Sequence, residues 1–262
     1  MGANVFTKSL WDQRRGLLGW GIGVAATILA MAAIWPSFSD ADINAVLENY
    51  PSELLEAFNV QGMNTGAGFL NAELFSVVLP VMFIVYAVGR GSRLVAGEEE
   101  AGTLEMILTM PIPRSRVLVH KAGGLVVGVG VLGLVLAVTL AIVSPIFGMD
   151  VTLRAAGFAA LTQWFIGCEF GLLAVAVAAA TGRRSLAVGV PAAIAAASYV
   201  AFLAAQLVDA LQWLRWISPF HAATTGGPLG PALPWLVWTM PAVGVVAVAA
   251  AAPVFSRRDI PG

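Results

Sequence analysis

Apolar residues fall in long blocks along this chain. They show neither the alternation of a half-buried strand nor the single stripe of a surface helix. Crossing about 30 Å of hydrocarbon takes about 20 apolar residues in a helix. Six blocks reach that length: 16–36, 69–89, 122–143, 157–180, 186–208 and 234–255. The pattern predicts an all-α polytopic membrane protein with six transmembrane helices, forming a single transmembrane domain over 1–262. The first block, "GLLGWGIGVAATILAMAAIW", starts after fifteen residues and ends in Trp-Pro instead of a small-residue cleavage site. It reads as a retained helix and not as a signal peptide.

Composition strengthens this reading. Apolar residues make up 59% of the 262, charged residues 11%, and mean hydropathy is +0.85, whereas a soluble domain carries roughly 25% charge. A net charge of −1 gives no reason to expect a nucleic-acid partner. The one cysteine, Cys168, excludes an internal disulfide. Basic residues set the orientation. Six spans put both tails, the 90–121 segment and the 181–185 turn on one side, with Lys8, Arg14, Arg15, Arg90, Arg93, Arg114, Arg116, Lys121, Arg183, Arg184, Arg257 and Arg258. Only Arg154 and Arg215 fall on the other side. Both termini and residues 90–121 are therefore expected in the cytoplasm. The outer loop 37–68 carries Asp40, Asp42, Glu48, Glu53 and Glu56 and no Lys or Arg.

Between the spans, three segments have a character of their own. Residues 3–15, "ANVFTKSLWDQRR", suit a short helix in the membrane interface or an ordinary charged flank. Leu47, Leu54, Leu55 and Phe58 in the outer loop suit short amphipathic helices. The run 209–234 brackets Gly and Pro with Trp213, Trp216, Trp235 and Trp238. It predicts a short helix at 209–217, a break at Ser218-Pro219, and an irregular outer segment, re-entrant or interfacial, leading into the sixth helix.

The charge of 90–121 lies between two of the most apolar blocks. Glu98, Glu99 and Glu100 follow Gly97, as acids do at a helix start. Leu104, Ile107 and Leu108 then give an apolar face, and Pro111 and Pro113 end the helix. Ser115 is placed to cap the next one. Such a helix either lies solvated at the membrane or docks its apolar face into a partner. Spacing alone does not choose between these.

The residues also carry a resemblance. "AGEEEAGTLEMILTMPIPRSRVLVHK" is similar to the signature of ABC-2 type permeases, the membrane subunits of ATP-binding-cassette exporters. Acidic residues, Gly-Thr-Leu-Glu, an apolar run, a proline break, a basic stretch and a Lys opening the third helix occur in that order, and "ISPF" at 217–220 precedes the last span. The resemblance implies that this segment is a coupling helix seated in a separate ATPase. It assigns ATPase coupling to Glu98, Glu99, Glu100, Gly102, Thr103, Leu104 and Glu105, with Gly102 as a close-approach position. It further implies two ATPase copies that bind ATP and Mg, and a second permease subunit, identical or homologous, in a plasma membrane. The transport path would be lined by the second and fifth spans, and residues 3–15 would correspond to the family's connecting helix. No G-x-x-x-x-G-K-[ST] occurs in this chain, so it is expected to hold no cofactor and no ATPase site.

The expected cargo is an amphipathic drug, antibiotic or lipid-like molecule. Glycan, metal-maturation or ion-efflux transport is the alternative, and a scaffold or sensor docking another partner is the reading from a different class. Glu169 stands near the middle of the fourth span. An ionisable group there is a functional candidate, for substrate, for a proton, or for a bond to a neighbouring helix. Glu73 reads as interfacial, Pro80 and Pro191 as helix kinks, and His221 as a surface or packing residue. His120 and His221 fall on opposite sides and cannot share a metal. No nucleophile is paired with a base, so no enzymatic site is expected.

Overall fold

The computed structural model describes residues 5–39, 64–103 and 113–258. The expected amphipathic helices of the outer loop, and Leu104, Glu105 and the apolar face that follows, lie outside the described residues. Among those described there is no strand. The helices are α1 (Val5–Ser39), α2 (Gly66–Leu70), α3 (Val78–Ser92), α4 (Arg114–Ile146), α5 (Leu153–Thr181), α6 (Arg184–Leu207), α7 (Pro219–Thr224) and α8 (Thr239–Arg257).

Six helical stretches are long and apolar enough to cross a membrane among these residues. Their bounds shift most at the second span. Instead of occupying 69–89, it runs from Val78 to Glu100, with π turns at Asn71–Phe75 and Arg93–Gly97 on either side of α3. Glu98–Glu100 therefore form the last turn of the second span and do not open a new helix. Gly97, just before the expected helix start, sits inside the second π turn, where the helix continues. Ser115 likewise lies within the first turn of α4, whose N-terminal boundary is Pro113. Pro80 occupies the first turn of α3, where a missing N–H costs nothing. Residues 5–15 are continuous with the first span in a single helix.

The bundle is built around α5, which packs against α3, α4, α6 and α8. Of its most apolar stretch, 72% is buried, against 17% for that of α1. Alanines make this packing possible: Ala155, Ala156, Ala159, Ala174 and Ala178 are buried, and small side chains let helices approach where lipid offers no hydrophobic drive. Thr152 caps α5 at one end by accepting a bond from Ala155 N, and Gly182, at φ +67°, ends it at the other.

The segment after α6 folds back into the bundle. A 3₁₀ helix, Asp209–Ile217, packs along α6 and stops at Ser218, whose Oγ donates to Ser198 O at 3.0 Å. Ser198 stands about 21 Å of helix rise from Arg184. Ser218 and α7 thus sit about two thirds of the way through a 30 Å hydrocarbon layer measured from the Arg184 end.

Candidate functional site

At the Arg184 end, the three consecutive glutamates each reach a different helix. Lys121 of α4 donates through Nζ to Glu98 Oε2 at 2.5 Å and to Leu94 O at 2.6 Å. Arg258, just after α8, pairs with Glu99, and its Nη1 also donates to Ala178 O near the end of α5. Glu100 Oε1 accepts the backbone N–H of Arg184 at 3.2 Å, supplying an acceptor to the free amides that open α6. Arg114 Nη1 closes the ring by donating to Arg258 O at 2.7 Å.

The helix that carries these acids ends in a Schellman turn. Gly102, at φ +66°, donates to Glu99 O, and Thr103 N donates to Glu98 O at 2.9 Å. Among the described residues a Cβ on Gly102 would meet nothing within 4 Å, and the left-handed backbone here favours glycine. Acids in a last helical turn oppose the helix dipole, and Lys121 and Arg258 offset that cost. Beside the triplet opens a cleft of about 310 Å³ bordered by Arg90, Arg93, Glu98, Thr103 and Arg184.

Sequence reasoning missed a second buried anchor at this end. Gln13, in the supposed flank, is 2% exposed; its Nε2 donates to Gly124 O at 2.9 Å, and Tyr86 OH donates to its Oε1. Tying α1 to α3 and α4 needs only one amide in a mixed stretch, and no local pattern marks it.

Two clefts within the membrane-embedded part bear on the expected path and on Glu169. One is almost purely apolar, about 260 Å³, between α3 and α6, with Val81, Ile84, Val85, Ala195, Tyr199 and Phe220 on its walls. The other, about 290 Å³, lies between α5, α8 and the folded-back segment, and Glu169 lines it together with Arg215, His221 and Thr239. Glu169 is 8% exposed and its Oε2 has no hydrogen-bond partner among the described residues. Of the three roles considered for it, a bond to a neighbouring helix is not seen among the described residues. Gln163, fully buried on the same helix, also leaves both amide atoms unpartnered. His221 packs edge-on to the Trp216 ring at 5.7 Å. Glu73 is exposed in the first π turn. Its neighbour Asn71 accepts Leu229 N at 3.1 Å and ties α2 to the loop before α8.

No group of three or more His, Cys, Asp or Glu that could hold a metal occurs among the described residues. A search of curated proteins finds no match. The family described as ABC-2 family transporter protein matches residues 3–260, nearly the whole chain. With six helices of membrane-spanning length, the chain belongs to this family of multi-pass membrane permeases, which work with an ABC ATPase partner.

Proposed function

We propose that the chain is the permease half of an ATP-driven exporter whose force enters through the segment following Glu100. The charged end faces the cytoplasm in this reading, as the placement of basic residues indicates. Two copies, or two homologous chains, pair with two ATPase subunits that hold ATP and Mg in the plasma membrane. The observation that carries the proposal is the triplet, whose members hold the ends of α4, α8 and α6 from one helical turn.

ATP does work only if the ATPase states prefer different permease arrangements. A push on residues 103–112 displaces the last turn of the second span. Through Glu98, Glu99 and Glu100 it moves the ends of α4, α8 and α6 together. Gly102 and Thr103 end that turn, while Leu104 and Glu105 meet the ATPase, whose side chains also enter the cleft beside Arg90 and Arg93. Cargo passes along the apolar groove between α3 and α6, whose walls suit an amphipathic drug, antibiotic or lipid-like molecule.

The test is Leu104→Asp combined with Glu105→Lys in cells carrying the cognate ATPase. Expected are normal insertion, loss of ATPase copurification and loss of efflux. Undiminished copurification and efflux would overturn the coupling assignment.

A further inference from the structure

We propose that the cleft holding Glu169 binds a zwitterionic amphiphile, with its ammonium on Glu169 and its anionic group on Arg215. This site is separate from the α3–α6 groove and does not depend on the transport reading.

Four observations carry it. Glu169 is more than nine-tenths buried, lines the cleft, and has a buried Oε2 with no hydrogen-bond partner among the described residues. A lone carboxylate at this depth is costly, and an ammonium donor offsets that cost. Arg215 lines the same cleft but is exposed, with its guanidinium 5.3 Å from the centre of the Trp216 ring, so the positive charge stands at the mouth and the acid at the base. A simple cation would meet Arg215 on entry, and a simple anion would meet Glu169. One ligand carrying both charges satisfies each. The rim is apolar and uncovered: Trp216 is 56% exposed, Ile217 69% and Val243 46%. A hydrocarbon tail lies against these residues while the headgroup sits inside.

Size and depth agree with this occupant. About 290 Å³ falls at the small end of ligand pockets, enough for an ethanolamine-phosphate-sized headgroup but not for its chains. Val243 stands about 21 Å of helix rise from Arg257, the level at which Ser218 meets Ser198. The cleft therefore opens into the leaflet opposite the charged end, within reach of an amphiphile drawn inward from its surface. Thr239 Oγ1 donates to Leu236 O, and Glu169 supplies the carboxylate for an ammonium at the base.

Ethanolamine, choline and glycerol headgroups separate the terms. Choline keeps the charge but has no N–H to donate, and phosphatidylglycerol lacks the cation. The full-length chain in detergent is titrated with lysophosphatidylethanolamine, lysophosphatidylcholine and lysophosphatidylglycerol, with binding read by native mass spectrometry and by the shift in thermal unfolding. We expect the ethanolamine lipid to bind about tenfold more tightly than either of the others, the size of one charge-assisted hydrogen bond. Glu169→Gln abolishes the preference for ethanolamine over choline, and Arg215→Gln weakens binding of both phosphozwitterions. Arg215 is exposed, so its variant reports even if Glu169→Gln fails to fold. Glycerophosphoethanolamine, which has no chains, separates the sources: binding as tight as the lysolipid assigns a free zwitterion, and weak binding assigns a membrane amphiphile. Equal affinity for the three lysolipids, an ethanolamine preference over choline that survives in Glu169→Gln, or undiminished binding of both zwitterions by Arg215→Gln overturns the proposal. No ATPase is present in this assay, so the outcome is independent of coupling.

Discussion

Lys121 has 2% of its side chain exposed, yet it carries a full charge between a carbonyl and a carboxylate. Removing one partner of a buried pair costs more than replacing both, because the remaining charge keeps its desolvation penalty. Glu98→Gln is therefore expected to lower stability by about 2 kcal/mol, and adding Lys121→Met should recover part of the loss. A double-mutant cycle on the detergent-solubilised chain measures this, and strictly additive losses would mean the pair is not coupled. The glycines give a second residue-scale ordering. Gly182 combines a left-handed φ of +67° with a missing Cβ that would stand 2.7 Å from Glu99 Oε1, whereas Gly102 has the left-handed φ alone. Gly102→Ala should cost about 1 kcal/mol of backbone strain. Gly182→Ala should cost more, and a reversed order in thermal unfolding would show the Glu99–Arg258 junction to be soft.

At the scale of elements, the sequence indicated where helices exist better than where they end. The break at Ser218-Pro219 was legible, since a proline after a tryptophan-rich turn cannot continue the helix before it. The end of the second span was not. The π turn at Arg93–Gly97 carries it past both Gly97 and the first charges, and Glu98–Glu100 carry an apparent start signal while sitting in a last turn. Acids there are stable only because Lys121 and Arg258 come from distant points in the chain, which local patterning does not reveal.

At the scale of the molecule, both terminal helices meet the centre of the bundle at one end, α1 through Gln13 and α8 through Arg258. At the opposite end, among the described residues, Ser218 Oγ donates to Ser198 O and Asn71 Oδ1 accepts Leu229 N. The α3–α6 groove runs toward that end, and Val81, 46% exposed, stands on its wall without contributing to the core. Val81→Trp should fill much of the roughly 260 Å³ groove while leaving the charged end, and hence ATPase binding, untouched. The expected outcome is a monodisperse, ATPase-bound protein whose efflux falls about tenfold, the size of about 1.4 kcal/mol added to the rate-limiting step. The comparison that decides it is Val127→Trp on α4, which is similarly exposed at 40% but does not line the groove. If both variants impair efflux equally, the loss belongs to bulk in the bilayer. If only Val81→Trp does so, cargo moves between α3 and α6.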